Sequence, residues 1–223
     1  MATNGLSTYL YATIDEKTEK YGDVDKLAGA ISYKESLTKN SAKVYSDNVL
    51  KISDSSVTGG KIDLGVDDDD PDIFSPLLGQ GKKNVKVGDE TLTVNVGNSN
   101  DVPKYVGFGF IENEKNDKAA YHTVNFYPKI TFEPYDKEGN TKQENNDYKT
   151  PTVTGTIYGL NNGDYKYNRR CKSMLEALSV LYALFGKTVP TELAEQYGKE
   201  TDSPETNPPE TNPPETDLEE ITE

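Results

Sequence analysis

The densest set of potential ligands in the chain is Asp67-Asp-Asp-Asp70, with Asp72 two positions on. Clustered carboxylates at short spacing can offer a hard cation several oxygens. The run lacks the alternating Asp-x-Asp-x-Asp-Gly order and distant Glu of a calcium loop. Ahead of Pro71 the same acids suit capping and dipole pairing at a helix N-terminus, which needs no ion. The helix reading is preferred, and Asp67, Asp68, Asp69 and Asp70 stand as the candidate metal cluster against an expectation of none. His122 is the sole histidine, inside a run of β-formers, and one imidazole cannot by itself build a base-and-orienter pair. Cys171 has Arg169, Arg170 and Lys172 beside it, cations that lower a thiol pKa, but nothing else marks it as a nucleophile, so a structural thiol is expected. Gly107-Phe-Gly-Phe110 has two glycines of a nucleotide loop without the third or a following helix, and reads as strand. No Walker loop, zinc spacing or nucleophile elbow is present. The expectation is a protein that is not an enzyme and needs no cofactor.

Composition points the same way. With 33 % hydrophobic residues, 15 Tyr, 6 Phe, no Trp and 2 Met, the core must be thin, as in sandwiches and in subunits stabilised by neighbours. The net charge of −14 opposes adhesion to anionic membranes and a grip on nucleic-acid phosphates. Nine acids and one lysine from Lys199 onward give −8, which leaves −6 for residues 1–198. Cys171 is alone, so no intrachain disulfide forms, which fits a reducing cytosol. The residues Met1 to Leu10 carry no basic n-region or apolar h-region, and no stretch approaches the roughly 18 apolar residues of a span. A soluble chain is expected.

The elements that must position these residues are mostly strands. Thr8 to Ile14 alternates as a half-buried strand, and Lys26 to Tyr33 reads as a second. Ala42 to Val66 reads as two strands around the polar Ser53 to Ser56 turn. Gly65 to Gly79 has an Asp cap, an early Pro71 and a closing glycine, and predicts a short helix. Val85 to Val96 predicts a hairpin turning at Gly88-Asp89. Tyr105 to Ile111 and Ala119 to Phe126 are strand arms flanking a charged tip, followed by strands at Lys129 to Tyr135 and Thr152 to Tyr158. Nine or ten strands with one short helix predict a mainly β, antiparallel sandwich or barrel-like fold over residues 1–163. A helical segment is expected over 164–198, with a helix from Tyr165 to Gly186 and a turn or two at Thr191 to Gly198. Thr201 to Thr216 repeats Glu-Thr-Asn-Pro-Pro, a unit with no apolar member, and residues 199–223 are expected to form a disordered acidic tail.

Several segments in this order are similar to one family: Gly5-Leu-Ser-Thr-Tyr-Leu-Tyr-Ala-Thr-Ile14, Lys26-Leu-Ala-Gly-Ala-Ile31, Val44-Tyr-Ser-Asp-Asn48, Gly59-Gly-Lys-Ile-Asp-Leu-Gly-Val-Asp-Asp68, Tyr105-Val-Gly-Phe-Gly-Phe110 and Thr150-Pro-Thr-Val-Thr-Gly-Thr-Ile157. Their succession, over roughly residues 1–160, resembles the major tail proteins of siphophages, the bacteriophages with long non-contractile tails. The resemblance implies a tail-tube sandwich with a short flanking helix. It implies hexameric rings that stack into a tube around a tape-measure protein and meet a tail terminator. DNA would pass the lumen during ejection without sequence-specific binding. Such a protein is made in the host bacterial cytoplasm and ends in the virion. The segment Asn40 to Gly60, with Asp47, Asn48 and Asp54, would then be the ring-to-ring contact loop. A mildly acidic wall would let phosphates slide. The residues after 163 fall outside the resemblance, and the acidic tail is expected to project from the tube as a solvated brush. The alternative reading is a surface-displayed β-sandwich that binds a receptor or carbohydrate, with Tyr-rich strands and a Pro-rich stalk.

Overall fold

The computed structural model describes residues 2–7, 9–41, 43–46, 49–53, 56–115, 119–135 and 150–198. Within them the strands are β1 (Ala2–Leu6), β2 (Tyr9–Thr13), β3 (Asp25–Ala28), β4 (Ala30–Lys39), β5 (Lys43–Ser46), β6 (Val49–Ser53), β7 (Val57–Val66), β8 (Gly81–Val87), β9 (Glu90–Val96), β10 (Val106–Lys115), β11 (Ala120–Phe132), β12 (Thr152–Tyr158) and β13 (Tyr167–Cys171). The helices are α1 (Pro71–Leu77), α2 (Met174–Leu184) and α3 (Thr191–Gly198). The fold is mainly β and antiparallel, as expected. A nine-stranded sheet runs β3-β2-β10-β11-β12-β7-β4, with β1 also pairing β10 and β13 also pairing β11, while β5–β6 and β8–β9 form separate two-stranded sheets.

Alternation along the central strands serves two cores rather than one. Val106, Phe108 and Phe110 of β10 join Tyr9, Tyr127, Ile130, Phe132 and the inner residues of β7 and β12 in one apolar cluster. Next after Phe110, Ile111 faces a second cluster with Leu10, Ala12, Val124, Phe126 and the apolar side of α2. Strand β2 therefore has no solvated face at its centre: Tyr9 and Ala12 are both fully buried, on opposite sides. Gly107 and Gly109 fall on the helix side, where a Cβ at Gly109 would lie 2.5 Å from Leu181 Cδ1 and one at Gly107 2.5 Å from Tyr21 Cε1. The Gly-Phe-Gly-Phe motif thus fills one core with rings and lets α2 and Tyr21 settle on the bare backbone of the other.

Several element boundaries depart from the sequence reading, each for a physical reason. Ala119 to Phe126 and Lys129 to Tyr135 are one strand, β11, because a bulge absorbs Pro128. Val106 pairs Ile130 and Phe108 pairs Tyr127, so the extra residue returns Ile130 and Phe132 to the inner face and leaves the proline outside the regular ladder. Lys26 to Tyr33 splits at Gly29, whose N–H donates to Asp67 Oδ1 at 2.6 Å, and β4 runs on to Lys39. Ala42 to Val66 holds three strands, β5, β6 and β7, instead of two. The helix predicted from Tyr165 begins only at Met174. Tyr167 to Cys171 pairs β11 first, and Ser173 then caps α2 by accepting from the N–H of Glu176 at 3.2 Å. Residues 164–198 accordingly join the main sheet through β13 and cover it with α2, with α3 behind. The acidic tail lies outside the described residues.

The sheet closes on itself through side chains. Among the described residues β4 forms a strand ladder only with β7. Its other flank is held by Tyr9, whose hydroxyl donates to the Ser32 carbonyl at 2.5 Å, by Tyr33 donating to Glu112, and by a Lys166–Glu35 ion pair at 2.7 Å. The result is a barrel-like sandwich around the aromatic core.

Candidate assembly surfaces

Several of the residues with chemical potential have structural partners. Asp67 accepts from Gly29, Asp69 Oδ2 accepts from the Tyr135 hydroxyl at 3.1 Å, and Asp70 caps α1 by accepting from the Asp72 N–H at 2.9 Å. Asp72 in turn accepts from the Asn95 amide at 3.0 Å. The carboxylates are turned to separate partners, and among the described residues no three His, Cys, Asp or Glu side chains gather as a cation would need. The half-buried His122 places Nδ1 2.8 Å from Asn113 Oδ1 on the neighbouring strand. Cys171 ends β13, opposite His122, and is 1 % exposed. Burial pushes its thiol pKa up and Glu176 adds to that, outweighing Arg169, so the nearby cations do not make it a reactive thiolate. Asp47, Asn48 and Asp54, the proposed ring-stacking residues, lie outside the described residues.

Two surfaces of the described residues stand open. Beyond the closed sandwich, the far ends of β10 and β11 extend as a four-stranded plate in the order β1-β10-β11-β13. One face is covered by α2 through Ile111, Val124, Cys171, Ala177 and Leu181. The other face changes character where the core ends: after Phe110 the same side of β10 carries Glu112 and Glu114. Asn125 donates to Glu112, Thr123 donates to Glu114 at 2.6 Å, and Arg170 pairs with Glu114 while its guanidinium lies 5.0 Å from the Tyr121 ring centroid. The Thr123 hydrogen bond, reinforced by Arg170, holds the Glu114 carboxyl below the usual range. Among the described residues β1 pairs only with β10 and β13 only with β11, so each presents an open edge, on opposite sides of the plate.

The second open surface is the β8–β9 hairpin, which turns at Gly88 (φ 65°) as its sequence predicts but starts earlier, at Gly81. Pairing of Lys83 with Val94, Val85 with Leu92 and Val87 with Glu90 sets Val85, Val87, Leu92, Val94 and Val96 on one face. All five are exposed, Val87 by 57 %. The opposite face carries Lys82, Asn84, Lys86, Thr91, Thr93 and Asn95. The hairpin is tied to the body at its base, where the Asn95 amide donates to Asp72 at 3.0 Å and to the Pro71 carbonyl at 3.3 Å.

Sequence reading missed β13 and therefore the edge it offers. The signal was available in Ser173-x-x-Glu176, a helix-start pattern that places the boundary after Cys171. Comparison with models of known families finds no match to this chain, and a search of curated proteins finds none either. No helix among the described residues is long and apolar enough to cross a membrane.

Proposed function

We propose that this chain is a structural subunit that works by assembling with copies of itself, in the tube-forming role implied by its resemblance to siphophage major tail proteins. The observation that carries this reading is the pair of open edges on the β1-β10-β11-β13 plate. An open edge is a row of N–H and C=O groups ready to accept another strand. Because β1 and β13 are different strands on opposite sides, joining β1 of one copy to β13 of the next is a heterologous contact, which closes into a ring or propagates. Strand addition around a ring removes every such edge. In that arrangement α2 covers the outer side of the plate, and the polar face with Glu112, Glu114 and Arg170 lines the bore. Mixed charge on that wall suits passage of DNA, since a lysine-lined bore would retain phosphates.

Sedimentation velocity over a rising concentration series tests the reading. Conversion of monomer into a discrete ring-sized species and then into larger particles is the expected result. A single monomeric boundary at every concentration contradicts it.

A further inference from the structure

The two open edges of the plate differ in charge as well as in position. Strand β13 carries Arg169 and Arg170 and no acid, whereas β1 carries no charged residue and is backed by Glu112 and Glu114 of β10. Arg169 turns to the α2 side, where it pairs with Glu176 at 3.3 Å. Arg170 turns to the opposite face, where Glu114 lies, and is half exposed. The edges are therefore matched to each other and mismatched to themselves. Joining β13 to β13 crowds guanidinium groups, and joining β1 to β1 sets the acids of two copies on either side of one seam.

Direction and register agree with charge. β1 is antiparallel to β10, β10 to β11 and β11 to β13, so β1 and β13 run in opposite directions. Rotation about an axis along the strands then brings β1 of one copy and β13 of the next together as an antiparallel pair. Within one chain Arg170 is level with Thr123 and, beyond it, with Glu112, so its own ion pair with Glu114 runs diagonally. Each edge strand has five residues. Overlapping Ala2–Leu6 with Tyr167–Cys171 of a second copy along their length sets that copy's Arg170 level with Thr3, which is itself level with Glu114. Guanidinium and carboxylate then share a face with one strand between them. The backbones are roughly 10 Å apart, a span that the intrachain pair already bridges across β11. The same overlap staggers each copy against the next, as closure of a barrel requires.

We infer that Arg170 of one copy pairs with Glu114 of the next across β1, and that this pair selects β1-to-β13 joining over either self-pairing. The inference rests on the assembly reading and names the residues that make its contact specific. Oε1 of Glu114 accepts from Thr123 and Oε2 from the guanidinium of its own chain, and each carboxylate oxygen can accept once more. In a closed ring every Glu114 has a guanidinium on both sides, and opposite charges alternate around the bore.

Glu114→Arg combined with Arg170→Glu, in the full chain, reverses the pair while keeping it, both within the chain and between copies. The double variant is expected to assemble at the wild-type concentration and to sort away from wild type. Native mass spectrometry of an equimolar mixture should show rings of one chain or the other, because a mixed seam sets arginine against arginine or glutamate against glutamate. Arg170→Glu alone and Glu114→Arg alone are each expected to need roughly tenfold more protein to assemble. Their equimolar mixture should recover, although the intrachain pair stays repulsive in both. Rings that mix double variant and wild type at random overturn the contact and leave the assembly reading standing. So does a double variant that stays monomeric while wild type assembles, or a mixture of folded single variants no better than either alone. Wild-type protein that stays monomeric overturns the reading beneath it.

Discussion

Tyr33 on β4 donates its hydroxyl proton to Oε1 of Glu112 on β10 across 2.7 Å, linking positions 79 residues apart. The Tyr33 ring also lies 4.7 Å, centroid to centroid, from Phe110. Through this residue the last strand of the sheet path is fastened to the strand that leads out into the plate. The closure of the sandwich and the placement of the open edges therefore share one joint.

Removing the hydroxyl tests the joint. Tyr33→Phe keeps the ring contact and deletes a hydrogen bond to a partly buried carboxylate, for which about 1.5–3 kcal/mol of stability is the expected loss. Equilibrium urea unfolding reads it. A midpoint equal to that of the wild type would show that the closure depends on apolar packing alone.

Buried phenols should make the fold sensitive to alkali. Burial raises the pKa of Tyr9, Tyr21, Tyr33, Tyr127 and Tyr135, with Glu112 adding at Tyr33, Glu35 at Tyr127 and Asp69 at Tyr135. A phenol whose folded pKa exceeds its unfolded value favours the fold while it is protonated. That contribution is complete below the ordinary value of about 10 and is lost as pH rises through the folded values. The tyrosinate absorbance of these five should therefore appear together with loss of the β-sheet dichroism signal. A smooth titration of all tyrosines near pH ~10 in folded protein would contradict this.

At the acid end Glu114 and Glu133 act in the opposite sense. Hydrogen bonds from Thr123 and Thr156, with Arg170 and Lys61 respectively, depress their carboxyl pKa values. Their stabilisation is present above the unfolded glutamate value of about 4.3 and fades as pH falls through the depressed values. Thr156→Val should move the acid unfolding midpoint upward; an unmoved midpoint would remove Glu133 from the account.

The glycines of β10 admit a direct check. Gly109→Ala drives a methyl group into Leu181 and Phe126 in a packed core, for an expected loss of about 1–3 kcal/mol. Gly81→Ala, with nothing within 4 Å, serves as the neutral control. Equal melting temperatures for the two variants would show that α2 can yield.

The acidic run separates its two readings cleanly. Asp70→Ala removes the cap of α1 and should cost about 1 kcal/mol, with the same melting temperature in calcium and in chelator for variant and wild type alike. A calcium-dependent melting temperature in the wild type would restore Asp67 to Asp70 as a metal site.

Alternation made the antiparallel class legible, and Asp70-Pro71 and Gly88-Asp89 located the short helix and the hairpin turn. Those signals are local, written in cap and turn chemistry. The missed features depend on tertiary context. Ala119 to Phe126 and Lys129 to Tyr135 read as two strands because a bulge is defined by the partner strand, and Tyr167 to Cys171 read as helical because the apolar run after it dominates the window. The chemistry-bearing residues were weighed correctly in one respect: Asp70 does cap α1. What Cys171 experiences could not be read from its neighbours in sequence, since the burial and Glu176 that raise its pKa are set by α2 folding back over β13. The surfaces offered here for assembly were mostly hidden for the same reason, because an open edge is visible only once the other strands are paired.

Negative-stain microscopy of the purified, concentrated protein tests the central claim most directly. The account predicts rings of uniform diameter and short stacks of them forming a hollow tube. Dispersed single particles of monomer size at the highest attainable concentration would contradict it.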